Sequence, residues 1–296
     1  MKSRKLKDIP KVEYQPLDPT CENIEIVELD SLYKRAPQFS FDPSAPHRVQ
    51  FNHLIYISKG TGQHFIDFNQ YSFKAGSFLF VNKHQVHAFD FKNKPRGLMI
   101  LFTQEFLESI RVSFRVPVFS SNFLGAPETP VIFVEEDLKI SCEHFLLEIK
   151  KASGSNQYDD LLCQLLFTSL LLKLDRARKS PAKNILSEER IQKFANFVSL
   201  LETHFITVKD ATWYANEMSM TYKSLNQLCK LATNQTPKQL IDAHIILEAK
   251  RKLAIEDIQV SQLAYELGFE EVSNFVKYFK KHTLVTPLHF KETLKG

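Results

Sequence analysis

The last 110 residues of this chain state one pattern twice. Leu225, Leu228, Lys230, Thr236 and Pro237 stand 50 residues ahead of Phe275, Tyr278, Lys280, Thr286 and Pro287. Ala215 and Ala264 are each the small residue of a short helix before a turn. With one residue of slack, each copy reads as helix, tight turn, second helix. A helix-turn-helix needs a small residue where its helices cross and a turn that sets them steeply. Residues 216–220 and 266–270, with Gly268 in the second, suit those turns. Thr236-Pro237-Lys238-Gln239 reads as a capping box with proline at the first helical position, and Thr286-Pro287 repeats that start. Ser187 before Glu188 and Glu189, and Thr207-x-x-Asp210, mark two earlier starts. Residues 237–255 form one uninterrupted segment that can hold the two copies rigidly apart.

Upstream the chain changes character. Ten of its 13 prolines lie at or before Pro130, and six of its eight glycines lie at or before Gly154. Turn-rich sequence giving way to long segments predicts β first and α second. Residues 48–102 read as short strands. Phe51, His53, Ile55 and Ile57 share one face; Asn52, Leu54, Tyr56 and Ser58 share the other. The next strands fall on QHFIDF, YSFKAGSFLFV, residues 86–91 and residues 97–102, with NQ as the turn between the first two. Strands at this spacing predict a sandwich or a small barrel that can enclose one ligand. Residues 137–151 and 158–178 carry helical patterns. The second is apolar nearly all round, which fits either a core helix or one that also forms a dimer interface. Residues 177–186, polar and basic around Pro181, read as a linker.

Composition bounds the rest. The 296 residues are 44% hydrophobic and 24% charged, as in globular proteins. At roughly 100–200 residues per domain, the length predicts two domains. The expected division is residues 1–176, a linker at 177–186, and residues 187–296. No apolar run approaches the roughly 18 residues of a membrane span, and no secretory signal is expected from the charged start. Cys21, Cys142, Cys163 and Cys229 are scattered, so neither a disulfide framework nor a zinc finger is expected. The net charge of +4 is too mild to name a partner.

The second helix-turn-helix copy carries Leu263-Ala264, Gly268-Phe269, Ser273-Asn274-Phe275, Tyr278-Phe279-Lys280-Lys281 and Thr286-Pro287. With these anchors the C-terminal part resembles the DNA-binding domain of AraC/XylS-type transcriptional regulators, over about its last 105 residues. The first copy matches more loosely. The N-terminal part resembles the family's cupin-type sensor barrel by weaker motifs. The fold class implied is α+β multidomain: a cupin-like barrel with accessory helices, then an all-α domain of two helix-turn-helix units on a linker helix. Three positions depart from the family pattern. Asn234 and Leu284 stand where glycine is usual, and Ile245 replaces an arginine of the linker helix. Asparagine tolerates the left-handed conformation; Leu284 predicts a different local turn.

The resemblance implies how DNA would be bound. Recognition helices read base edges in the major groove, and flanking groups hold phosphates. In the first copy residues 221–231 form that helix, led by Thr221, with Lys223, Asn226 and Gln227 facing the groove. In the second copy residues 271–281 take this part, with Val272, Ser273, Asn274 and Lys277 facing DNA. Lys280, Lys281 and His282 are its candidate phosphate contacts. Lysine can donate to guanine, and Asn or Gln can pair with adenine. Phe269, Phe275 and Phe279 are expected in the core. Residues 187–296 hold 14 Lys and Arg against 13 Asp and Glu. The interface thus depends on local placement of Lys277, Lys280, Lys281 and Lys291, not on a basic domain.

For the first domain, cupin metal sites use a His and carboxylate cluster. Here the paired H-x-H is absent. His64 and His87 stand apart, with His84 near the latter, and Asn82 stands where cupins often have proline. No metal and no cofactor are expected. Sugar-sensing relatives imply ligand contacts at Lys59, Phe89, Gly97 and Met99, and His64 and His87 are candidate pocket residues. Few polar groups accompany them, while phenylalanine is abundant. The readings open are a Phe-rich core and a pocket for an apolar or amphipathic effector.

The whole then reads as a cytoplasmic, non-enzymatic, ligand-responsive activator. Its partners would be promoter DNA, a small-molecule effector, a second copy through residues 158–178, and RNA polymerase, with no membrane. A regulator governed by a protein partner, and a metal cupin enzyme with a DNA-binding tail, are the alternatives. Residues 1–11 carry five basic residues and one acid, either a plain tail or an arm that docks when ligand binds.

Overall fold

The computed structural model describes residues 10–14, 23–83, 85–89, 92–114, 130–154, 159–177, 187–255 and 258–293. The chain divides into two compact units, one built from residues 10–118 and 129–179, the other containing residues 180–296. The basic segment 1–9 and the linker residues 178–186 lie outside the described residues, as do His84 and Tyr158.

The N-terminal unit contains ten strands among its described residues. They are β1 (Lys11–Val12), β2 (Ile24–Glu28), β3 (His47–Val49), β4 (Asn52–Lys59), β5 (Thr61–Ile66), β6 (Asn69–Lys74), β7 (Ser77–Val81), β8 (Val86–Ala88), β9 (Arg96–Phe102) and β10 (Val131–Phe133). They form two five-stranded sheets, ordered β1-β3-β8-β5-β6 and β10-β7-β4-β9-β2. All pairings are antiparallel except β1 with β3. Helices α1 (Leu29–Arg35), α2 (Gln104–Phe114), α3 (Glu136–Ala152) and α4 (Asp160–Ala177) accompany them.

Strand β4 shows why the alternation in the sequence is muted. Ile55 and Ile57 pack with Leu79, Phe73 and Met99 in one buried cluster. The opposite face of the sheet, on β4 and its neighbour β9, is covered by helices. Tyr56 donates a hydrogen bond to Glu143 of α3, and Phe102 packs on Phe167 of α4 with ring centroids 4.9 Å apart. A strand covered on both faces reads as apolar throughout. The β5–β6 turn differs from expectation. It falls on Asp67-Phe68, both at positive φ, while Asn69 and Gln70 are already paired in β6. Asp67 suits this turn because its carboxylate accepts from Gln85 Nε2 at 2.6 Å and Val86 N at 3.2 Å. A two-residue hairpin loop with both residues left-handed matches the strand twist.

The C-terminal unit is helical: α5 (Glu188–His204), α6 (Ala211–Glu217), α7 (Tyr222–Thr233), α8 (Pro237–Ile255), α9 (Val260–Glu266), α10 (Val272–Thr283) and α11 (Pro287–Thr293). The caps explain most of these starts. Thr236 N donates to Gln239 Oε1 at 2.8 Å while Gln239 N donates to Thr236 Oγ1 at 3.2 Å, a reciprocal box. Asp210, not Thr207, caps α6 by accepting from Thr212 N at 3.1 Å. Thr207 instead donates to His204 O at the end of α5.

Two buried clusters flank α8. One gathers Phe197, Tyr214, Leu225, Leu240 and Ile245; the other gathers Ala249, Leu253, Leu263, Phe275 and Phe279. Ile245, in the place of the family's arginine, is fully buried in the first. Phe205, Phe269 and Tyr278 pack against both clusters, so the two helix-turn-helix copies share one frame.

Candidate nucleic-acid interface and ligand cavity

The two copies are superposable in their hydrogen bonds. Met220 N donates to Ala215 O at 2.9 Å, and Phe269 N donates to Ala264 O at 3.0 Å. Ala215 and Ala264 are both fully buried. Ser219 and Gly268 hold the left-handed turn position, at φ 53° and 69°. Helices α6 and α9 are offset by 49 residues, α7 and α10 by 50. The extra residue therefore lies in the second turn, after Gly268. A Cβ on Gly268 would stand 1.9 Å from Ile206 O, so glycine is required there. Lys209 closes the same spot, donating to Gly268 O at 2.8 Å and Ile206 O at 3.0 Å.

Helices α7 and α10 end alike. Asn234 and Leu284 are both left-handed, at φ 58° and 66°, and their N–H groups close on Lys230 O and Lys280 O at 2.9 Å. The different turn expected at Leu284 is not formed. The capping geometry outweighs the side-chain preference, and the leucine, 85% exposed, meets no obstacle.

On α7, Lys223 and Gln227 are exposed on one helical face. Asn226 is half-buried, with its Oδ1 enclosed and without a hydrogen-bond partner among the described residues. Thr221 is the N-cap; its Oγ1 accepts from Ser224 N at 3.1 Å. On α10, Ser273, Asn274, Lys277, Lys280 and Lys281 are exposed. Val272 is half-buried against the second cluster. Phe275 and Phe279 are fully buried and Phe269 partly so. Two residues named from the sequence have other engagements. Lys291 donates to Ile258 O at 2.8 Å, and His282 lies 3.7 Å from the Asp242 carboxylate.

Asp242 of α8 anchors α10. It accepts from Tyr278 Oη at 2.6 Å and from Lys238 Nζ at 2.7 Å. The carboxylate and burial push the Tyr278 phenol well above its ordinary range, burial foremost.

The N-terminal unit holds a cavity of about 510 Å³, within the range of small-molecule sites. Its interior is marked by imidazoles from both sheets. His47 and His87 are cross-strand partners on β3 and β8, with ring centroids 4.2 Å apart. His53 reaches in from β4, its ring 4.7 Å from His87. His64 Nε2 and His87 Nδ1 are 3.2 Å apart. Burial holds the imidazoles of His53 and His87 well below the ordinary range, and His47 is lowered for the same reason. All three are therefore neutral at pH 7. Both ring nitrogens of His53 and Nε2 of His87 lack hydrogen-bond partners among the described residues. Each unmade bond costs about 1–3 kcal/mol in such a setting. Among the described residues no group of three or more His, Cys, Asp or Glu is placed to hold a metal ion.

Of the sequence-named pocket residues, His87, Phe89 and Met99 line this cavity. His64 stands behind His87. Lys59 is exposed at the end of β4, beyond an irregularity in register between Ile57 and Lys59, and does not line the cavity. Gly97 pairs with Ile57 and is packed under the Tyr56 backbone. His47 and His53 line the cavity unforeseen. The signal for His53 was present: it shares a face with Ile55 and Ile57, which puts a polar ring in the interior.

Comparison with known proteins agrees with this architecture. Residues 27–171 match the AraC-like ligand binding domain, and residues 214–293 match a helix-turn-helix domain. A ligand-binding-type domain and paired helix-turn-helix units in one chain define a DNA-binding transcription regulator. Within that class, the chain belongs to the AraC family. The HTH-type transcriptional activator RhaS of Yersinia pestis (strain Pestoides F) is 23% identical over 267 residues, which are 88% of this chain and 92% of that protein. RhaS of Yersinia pseudotuberculosis serotype O:1b (strain IP 31758) is equally similar. Among solved structures, ToxT from Vibrio cholerae aligns at a TM-score of 0.45 with 13% identity, over 93% of this chain and 100% of that one. No helix among the described residues is long and apolar enough to cross a membrane.

Proposed function

We propose that this AraC-type regulator is a ligand-responsive activator that grips promoter DNA with α7 and α10. The observation that carries the reading is the pairing of two equivalent helix-turn-helix units on one frame, each presenting exposed polar side chains from its second helix. Lys223 and Gln227 on α7, and Ser273, Asn274 and Lys277 on α10, are the base-reading candidates. Lys280 and Lys281 are the phosphate-holding candidates. Thr221 and Val272 act mainly by setting the helix starts, and Asn226 requires a side-chain turn to reach a base edge. The functional division is residues 1–176 for sensing, 177–186 as linker and 187–296 for DNA.

The effector site of this reading is the histidine-lined cavity, with His87, Phe89 and Met99 in its wall and His64 behind. Occupancy changes DNA binding only if the effector prefers one of two conformations. Self-association is assigned to α4, where Leu161, Leu162 and Leu165 are 62%, 42% and 44% exposed. Neighbouring α3 adds Ile140 and Leu147, 51% and 50% exposed. Contact with RNA polymerase completes activation, in the cytoplasm, where the promoter is. Regulation, not catalysis, is the role.

Selection from a random DNA pool with the full chain, at two salt concentrations, tests this. The reading expects a defined motif spanning two major-groove turns, lost in an Asn274→Ala/Lys277→Ala variant. Binding without sequence preference that vanishes with salt, with or without effector, contradicts it.

A further inference from the structure

The chemistry of the cavity narrows what it can hold, given the reading above that this is the effector site. Its wall is mostly aromatic and aliphatic, including Phe39, Phe41, Phe51, Phe89, Met99 and Leu101. Phe39 and Phe41 are stacked at 5.5 Å with their planes 6° apart. Such walls favour a flat apolar ring. Charge does not single out an anion, because Lys11 and Arg35 on the wall are matched by Glu13 and Glu25.

Among the polar groups of the wall, two imidazoles stand out. His53 and His87 are 2% and 0% exposed, and both line the cavity. Three of their four ring nitrogens have no hydrogen-bond partner among the described residues. A neutral imidazole offers one N–H donor and one bare nitrogen acceptor. The complementary ligand group must therefore both donate and accept. A hydroxyl does so. A carboxylate only accepts, so it faces a bare nitrogen lone pair unless a ring takes up a proton. A hydrocarbon satisfies neither.

We infer that the cavity binds a small phenol-type aromatic alcohol, its ring against the phenylalanines and its hydroxyl paired with the buried, unpartnered nitrogens of His53 and His87 by a small turn of those rings toward the cavity.

The probes are 2-naphthol, naphthalene, 2-naphthoate and Zn²⁺, each titrated into the full chain by calorimetry, with the naphthol also followed by its fluorescence. The inference expects 2-naphthol to bind at least about ten-fold more tightly than either naphthalene or 2-naphthoate. In His53→Phe and His87→Phe variants that preference should fall below about three-fold, with hydrocarbon binding retained. His53→Gln, which restores a donor and an acceptor, should recover part of it. The wild-type comparison stands alone if a variant does not fold. Equal or tighter binding of 2-naphthoate overturns the inference in favour of an anion site. Stoichiometric Zn²⁺ binding that blocks 2-naphthol overturns it in favour of a metal centre. Histidine-independent binding of all three organic probes overturns the hydroxyl assignment but leaves the effector cavity standing. No binding by any probe removes both.

Discussion

Tyr278 of α10 donates a 2.6 Å hydrogen bond to Asp242 of α8. Tyr278 also packs against the hydrophobic clusters of both helix-turn-helix copies. One ring thus fixes the second recognition helix to the shared linker helix. Asp242 is 8% exposed and also pairs with Lys238.

Tyr278→Phe keeps the packing and removes the bond. A hydrogen bond to a charged group contributes about 1.5–3 kcal/mol, so the C-terminal unit should lose stability of that order. Denaturant unfolding followed through Trp213, the only tryptophan, measures it. DNA positions read by α10 should weaken more than those read by α7. An unchanged midpoint would show that Asp242's other neighbours, Lys238 and His282, hold it in place without the tyrosine.

Glycine is required at one turn and tolerated at another. Gly268→Ala places a Cβ 1.9 Å from Ile206 O at a left-handed φ of 69°, and should cost about 2 kcal/mol or more. Leu284→Gly relieves a left-handed leucine at φ 66°. Left-handed strain of about 1–2 kcal/mol outweighs the added unfolded-state entropy of about 0.4–1 kcal/mol, so this change should stabilise slightly. Thermal melts of the two variants should move in opposite directions. Movement in the same direction contradicts the cap geometry.

Acidification should loosen the N-terminal unit. His53 and His87 titrate in the folded state well below the 6.5 of the unfolded chain, chiefly because of burial. The folded form then binds fewer protons, so stability is fully present above about pH 6.5 and falls as pH drops below it. The limiting slope is about 1.4 kcal/mol per pH unit for each histidine. Hydrogen exchange at β4 amides, corrected for intrinsic rate, should show shrinking protection from pH 7.5 to 5.5. The loss should be smaller in His53→Phe; an equal loss would move the titrating group elsewhere.

Charge placed on α4 should separate copies of the chain. Leu161 and Leu165 are exposed one helical turn apart. Leu161→Glu/Leu165→Glu is expected to turn a dimer into a monomer in sedimentation with little change in melting temperature. A wild-type monomer at the same concentration would contradict the assignment of self-association to this helix.

The C-terminal unit was legible because its information is local. The capping threonines Thr236 and Thr286, each accepting from the backbone N–H three residues on, and the buried Ala215 and Ala264, sit at fixed spacing in the two copies. The N-terminal unit was legible where a period could be counted. Strand β4 and the helices α3 and α4 were read from periodicity. The two- and three-residue strands β1, β3 and β10 carry no period and owe their form to pairing partners distant in sequence. The same limit governed the cavity. His47 enters it by pairing with His87 across β3 and β8, a relationship that neither segment announces. Lys59 was named from the likeness to sugar-sensing relatives, and here it stands exposed beyond the register irregularity after Ile57, outside the cavity wall.

The most direct test of the account gives each recognition helix its own variant on the selected duplex. Lys223→Ala/Gln227→Ala should relax sequence preference in one half of the motif, and Asn274→Ala/Lys277→Ala in the other. Each lost base contact should cost about 1–3 kcal/mol. Two variants that relax separate, adjacent halves support DNA reading by two equivalent helices on one frame. Two variants that relax the same positions, or a first variant without effect, would contradict it.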